Sequence, residues 1–213
     1  MKVLLFGASG HIGREIADEL LSRGHTVTGV TRSGASDLAH PNFTSLAGDA
    51  TDEDTVASLA PGHDAVATAV GPRIGKEDDR KIIVGATRAL IDGVRRAGVR
   101  RLVALGGAGS LETAPGVVVL DSPHFPQMWK ANAMAQSEAL ALYRQVEDLD
   151  WTFISPAQHI EPGDRVGTFR VGGDQLLVDA EGHSRISISD YAIAFVDELE
   201  NSTSIRRRIT VAY

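Results

Sequence analysis

Short apolar runs alternate with longer amphipathic ones along most of the chain. Val3 to Phe6 is an unbroken apolar run bounded by Gly7, the pattern of a buried strand. From Ile12 to Arg23 apolar residues recur at helical spacing (Ile12, Ile16, Ala17, Leu20, Leu21), and Gly24 supplies the stop. Thr26 to Thr31 is β-branched and predicts a second strand, and Phe43 to Leu46 a weaker third. Thr51 to Leu59 predicts a short helix capped by Thr51 or Asp52, and Ala65 to Val70 a fourth strand. A long helix is expected from about Glu77 to Ala97, ended by Gly98. A fifth strand, Arg101 to Leu105, leads into Gly106-Gly107-Ala108-Gly109. Gln127 to Val146 reads as helix and Trp151 to Ile154 as a sixth strand closed by Pro156. Shorter segments follow at Thr168–Val171, Gln175–Val178 and Arg185–Ile188. A helix from Asp190 to Glu200 and a last strand from Arg208 to Val211 complete the pattern.

Strands alternating with helices across short loops require a parallel sheet covered on both faces. The expected fold is α/β: a Rossmann-type, doubly wound, mostly parallel sheet in a single domain over residues 1–213. No internal repeat or low-complexity linker interrupts it. The alternation breaks after Pro156. Residues from about 156 on should form the substrate-side wall of a crevice at the carboxyl ends of the strands.

Composition removes several classes of function. With 213 residues, 43% hydrophobic and 23% charged, the chain is an ordinary globular protein. A net charge of -7 gives nucleic-acid binding no electrostatic support. Arg206-Arg207-Arg208 is expected to be a solvated strand edge. With no cysteine, thiolate chemistry and cysteine-ligated metals are excluded, and no histidine–carboxylate spacing resembles a metal site. The first apolar run is too short for a signal peptide, and no stretch approaches a membrane span, so a cytoplasmic location without membrane contact is expected.

Three glycines follow the first strand and open the first helix, and each has a separate task. Gly7 permits the tight turn, Gly10 lets the backbone approach a pyrophosphate, and Gly13 lets helix and strand pack closely. Ser9, His11 and Ile12 lie in the same loop, where the free N–H groups and positive dipole end of the helix meet phosphates. His11 would contact cofactor or solvent rather than perform chemistry.

The G-x-x-G-x-x-G spacing resembles the short-chain dehydrogenase/reductase superfamily. Further segments make the chain similar to its atypical branch, the NmrA-like and biliverdin reductase B/flavin reductase-like NAD(P)-binding proteins. These are Thr31-Arg32, Gly48-Asp49-Ala50-Thr51-Asp52, Gly106-Gly107-Ala108-Gly109 and Ile188-Ser189-Asp190-Tyr191-Ala192. By that resemblance Asp49 would lie at the adenine edge with Ala50 beside the ring; Asp49 also suits a helix N-terminus. Ala69, Val70 and Gly71 should line the path between adenosine and nicotinamide. Ser189-Asp190 reads as a helix N-cap, with Asp190 structural.

The second strand ends Gly29-Val30-Thr31-Arg32-Ser33, without the acid that usually holds the NAD ribose. Arg32 stands where a guanidinium pairs with a 2′-phosphate, so NADP(H) is expected over NAD(H); a solvated Arg32 is the alternative.

Short-chain dehydrogenases acting on alcohols usually carry a Tyr-x-x-x-Lys pair and a serine. Here Lys130 has Pro126 four residues before it, and glycine replaces the serine at the strand end, although Ser110 is close. Ser110, His124 and Lys130 are the candidate catalytic residues, and Trp129, Pro156 and His159 the candidate substrate contacts. Trp129 would stack on a flat substrate or else fill the core, and His124 would donate a proton or stand solvated in its loop. His159 lies at the crevice edge, and Arg165 would hold an anionic substrate group or be exposed. A missing dyad favours hydride transfer to a flavin, quinone or similar flat small-molecule acceptor, or no reaction at all. The two readings are an NADPH-dependent reductase and a non-catalytic NADP(H) sensor of NmrA-like type. An epimerase or dehydratase is a weaker third, because it too would use the missing dyad.

Overall fold

The computed structural model describes residues 1–71 and 79–213. In chain order its elements are β1 (Lys2–Phe6), α1 (His11–Ser22), β2 (Thr26–Thr31), β3 (Phe43–Ala47), α2 (Glu53–Leu59), β4 (Ala65–Thr68), α3 (Asp79–Arg96) and β5 (Arg101–Leu105). A hairpin, β6 (Glu112–Ala114) and β7 (Val117–Val118), follows, and then α4 (Gln127–Tyr143), β8 (Asp150–Pro156) and β9 (His159–Glu161). The chain closes with β10 (Arg170–Gly172), β11 (Arg185–Ser187), α5 (Ile188–Asn201) and β12 (Arg207–Ala212). The expected start of the long helix, Glu77 and Asp78, lies outside the described residues.

The main sheet runs β10-β12-β8-β5-β4-β1-β2-β3, parallel except for β10. The central strands β1, β4, β5 and β8 are buried almost throughout because both faces are covered. Successive side chains alternate: Val3 and Leu5 join the core under α1 and α5, while Leu4 and Phe6 join the core under α2, α3 and α4. Each such fully buried side chain contributes about 1.5–3 kcal/mol. The order reverses direction between β1 and β4, which opens a crevice at the carboxyl ends of these strands.

Beyond Pro156 the expectations need correction. Gln175–Val178 is not a strand. Gln175 makes one bridge to Glu112, and the Val178 carbonyl accepts from Arg170 instead of a ladder partner. Three-residue strands appear at Glu112–Ala114 and His159–Glu161, where tertiary pairing rather than local pattern creates them. The N-cap of α5 is Ser187, whose hydroxyl accepts from the Asp190 amide, and not Ser189-Asp190. Nor is the triple-arginine run uniformly solvated. Arg208 is buried, donating to Asp174 Oδ1 at 2.7 Å and to Ser110 Oγ at 3.0 Å.

Polar anchors hold this C-terminal part. The fully buried carboxylate of Asp190 accepts from the amides of Val166 and Gly167 and from the Tyr213 hydroxyl, at 3.0, 2.8 and 2.6 Å. Burial pushes this carboxyl up, but those hydrogen bonds outweigh burial and hold it below the usual carboxylate range. A depressed folded value means stability that is present above the unfolded value of about 3.9 and is lost as pH falls through the folded value. Asp190→Asn should therefore cost about 1–3 kcal/mol at neutral pH. Acid denaturation followed by circular dichroism should show the variant losing less further stability below about pH 4 than the wild type.

Candidate dinucleotide site

β1 delivers the chain to Gly7, whose φ of +84° is the left-handed conformation that glycine adopts without strain. The Gly7 amide donates to the Val30 carbonyl at 3.0 Å, tying the turn to β2. A Cβ on Gly13 would stand 2.1 Å from the Gly7 carbonyl oxygen, so α1 lies directly against the turn. A Cβ on Gly7 would meet the Ala69 carbonyl at 2.9 Å, so the end of β4 closes the same contact. Gly10 differs. A Cβ there would meet nothing nearer than 3.4 Å, so its open side faces outward.

Gly10 is the N-cap of α1 and offers no side-chain acceptor; the first turn carries no acid. Among the described residues no group accepts from the amides of His11, Ile12 or Gly13. These three donors at the positive end of a helix fit an anion such as a pyrophosphate. Ser9, Gly10 and His11 are exposed beside them.

The residues expected at the adenosine end lie along the ends of β2 and β3. Arg32 is exposed and forms no ion pair among the described residues. Asp49 Oδ1 accepts from the amide and hydroxyl of Thr51 at 2.9 and 2.8 Å, which turns the chain toward α2, and Ala50 is buried beneath it. Asp52 caps α2. At the end of β4, Ala69 is buried and its amide donates to the Phe6 carbonyl, while Val70 and Gly71 are partly open.

The candidate catalytic and substrate residues are less assembled. No hydrogen bond joins any two of Ser110, His124 and Lys130 among the described residues. Ser110 serves as an acceptor for the buried Arg208. It lies in a packed segment where a Cβ on Gly109 would meet Ala133 of α4 at 2.6 Å. His124 is exposed, its amide donating to Ser122 Oγ. Lys130 is exposed. Trp129 is not a core aromatic. It is 36% exposed in the first turn of α4, beside the more exposed Met128. Because α4 crosses back from β5 to the parallel β8, that first turn lies at the carboxyl edge of the sheet. Pro156 is buried at the end of β8, pairing with Val211, and His159 is exposed on β9. Arg165 is engaged elsewhere. It pairs with the buried Glu19 of α1, which also binds Arg23.

A cavity of about 550 Å³ opens near β10 and β12, lined by Val166, Thr168, Phe169, Arg170, Arg185 and Tyr213. β8, β5 and β4 separate β12 from β1, so it is not the dinucleotide crevice.

The profile of the NAD(P)H-binding family matches residues 7–199, from the phosphate turn through most of α5. The chain belongs to the NAD(P)H-binding family. A relative from Bacillus subtilis strain 168, the uncharacterised protein YwnB, is 40% identical over 99% of this chain and 98% of its own. A Burkholderia pseudomallei structure, provisionally described as an exported protein, is 47% identical with a TM-score of 0.90, covering 100% of both chains. A Streptococcus pneumoniae structure, provisionally described as an NADH-flavin reductase, is 32% identical with a TM-score of 0.86, over 100% of this chain and 99% of its own. A further full-length neighbour carries a provisional epimerase description. Among the described residues of this NAD(P)H-binding protein, no helix is long and apolar enough to cross a membrane.

Missed in the sequence was Arg14, next to Gly13, whose side chain reaches the loop after β2. The only available signal was a cation directly after the third glycine.

The geometry separates the roles of Gly10 and Gly13. Gly10→Ala should keep its melting temperature, because its Cβ finds room, yet weaken nicotinamide-dinucleotide binding roughly tenfold or more by blocking the phosphate. Gly13→Ala should lose binding and about 3 kcal/mol of stability together. Calorimetric titration and thermal melting of the two variants check this.

Proposed function

We propose that this protein is an NADPH-dependent reductase that passes hydride to a flat acceptor, a flavin or a quinone. The observation that carries the reading is Trp129, a large aromatic left exposed at the carboxyl edge of the sheet. No tyrosine–lysine dyad stands beside it, since Pro126 precedes Lys130 by four residues.

Bound NADPH would supply the hydride, and a delocalised acceptor ring would need no protein acid because its proton can come from water. The chain's tasks are therefore positioning and stacking rather than acid–base chemistry. The His11–Gly13 amides would hold the pyrophosphate, and the ends of β4 and β5 would support the nicotinamide side. Trp129 would stack against the acceptor, with the Lys130 ammonium next to it balancing the charge of a reduced ring or a flavin phosphate. The exposed Arg32 at the end of β2, which forms no ion pair among the described residues, supports NADP(H) over NAD(H). The Streptococcus pneumoniae neighbour supports the acceptor class. Ser110, held by Arg208, is left out of the chemistry. His159 and Pro156 would form the rim, and His124 would approach the acceptor from its loop. A cytoplasmic location suits this reading, because NADPH is regenerated there.

A non-catalytic NADP(H) sensor remains the second reading, favoured by the absence, among the described residues, of any hydrogen bond joining Ser110, His124 and Lys130. NADPH consumption by pure protein, with FMN, riboflavin and a simple quinone offered in turn, separates the two. The reductase reading expects turnover well above the protein-free rate. It also expects Trp129→Ala to lower that turnover roughly tenfold while changing stability by less than about 0.5 kcal/mol. Tight NADPH binding with no turnover on any acceptor would establish the sensor instead.

A further inference from the structure

We propose that Arg14 is a second cation for the 2′-phosphate of NADP(H), and that Asp37 occupies its place in the free protein and is displaced when the cofactor binds. The inference rests on the NADP(H) reading above and adds the residues that would set the selectivity.

Arg14 follows Gly13 in the first turn of α1. Its Nε donates to Asp18 Oδ2 at 2.8 Å, one turn along the helix. Its Nη1 instead leaves the helix and donates to Asp37 Oδ1 at 2.6 Å, in the loop after β2. That loop has built-in constraints. Gly34 turns at a φ of +73°. The Thr31 hydroxyl donates to the Ala35 carbonyl at 3.2 Å, and Leu38 packs against the core under α1. The carboxylate of Asp37 is thereby brought to the first turn of α1, in the same short loop from which Arg32 emerges.

A carboxylate is out of place beside a phosphate dianion, which it repels. It would suit the 2′-hydroxyl of NAD(H), which donates to it. Arg14 resolves the conflict. While the two are paired, the carboxylate is neutralised and the guanidinium is held at the mouth of the adenosine site. The side chain of Asp37 is 91% exposed and that of Arg14 37%, so the pair contributes little and is easily exchanged. A phosphate offers a dianion with several acceptor oxygens and is the stronger partner. Asp18 anchors Nε throughout, so the guanidinium stays in place while its Nη1 partner changes. Arg32 and Arg14 then flank the phosphate, and Asp37 turns to solvent. In this arrangement Asp37 is a brake on NADP(H) affinity.

The test is a set of calorimetric titrations of wild type, Arg14→Gln, Arg14→Lys, Asp37→Asn and Arg32→Gln with NADPH, NADH and 2′,5′-ADP, the last probing the adenosine end alone. Arg14→Gln should weaken NADPH and 2′,5′-ADP roughly tenfold and leave NADH unchanged. Arg14→Lys should recover part of that loss, and melting temperatures should match the wild type. Asp37→Asn should strengthen NADPH and 2′,5′-ADP several-fold. An Arg14→Gln variant that binds NADPH as the wild type does, or that loses NADPH and NADH equally, overturns the proposal. So does an Asp37→Asn variant that loses NADH affinity without gaining NADPH affinity, which would make Asp37 a ribose ligand. An NADPH preference that Arg32→Gln abolishes and Arg14→Gln spares overturns this inference and leaves the NADP(H) reading standing. Equal wild-type affinity for the two cofactors, unmoved by Arg32→Gln, removes both.

Discussion

A helix can lie directly on the turn that precedes it only where neither carries a side chain at the contact. Here the Gly7 carbonyl oxygen occupies the place a Gly13 Cβ would need. That contact fixes the start of α1 above the end of β1 and beside the end of β4, at the point where the sheet reverses its strand order. It also leaves the His11, Ile12 and Gly13 amides directed at the crevice without an acceptor among the described residues. The loop after β2, the turn at Asp49 and the segment after β4 then surround the start of α1, whose free amides owe their placement to backbone geometry. Arg14 takes its reach from the same contact, because the position of α1 determines what its first turn touches.

The other half of the molecule is organised by charge. Asp190 draws the amides of Val166 and Gly167 and the hydroxyl of Tyr213 to one buried carboxylate. Glu19 is also buried, which raises its proton affinity, yet the hydrogen bonds from Arg165 and Arg23 outweigh burial and keep the carboxyl below the ordinary range. Arg208 reaches Ser110 and Asp174 together, tying the segment after β5 to the last strand. These anchors hold short, irregular segments that would bury too little apolar surface to stay ordered alone. Residues that look like acceptor-side chemistry in the sequence, Arg165 and Ser110 above all, are here engaged in ion pairs and hydrogen bonds that hold this C-terminal part.

The contrast explains what could be read from the amino acids. β1 to β5 and their helices were legible because apolar period and glycine position are local signals, and residues 2–68 follow them closely. The glycine turn between β1 and α1 was legible for the same reason. After Pro156 the strands β9, β10 and β11 are three residues long and exist because a distant partner pairs with them, as Ile160 does with Ile186. No local pattern marks such pairing. Arg208 reads as solvated in the sequence because an arginine run looks polar until the fold brings Asp174 beside it. Trp129 was undecided between core and surface because α4 begins with two exposed apolar residues, blurring its amphipathic pattern.

The most direct test of the account is a crystal structure of the protein with NADP⁺ bound. It predicts pyrophosphate oxygens about 3 Å from the His11–Gly13 amides, the nicotinamide toward the ends of β4 and β5, and the 2′-phosphate at Arg32. A dinucleotide lodged in the cavity near β10 and β12, with those amides left to solvent, would contradict it.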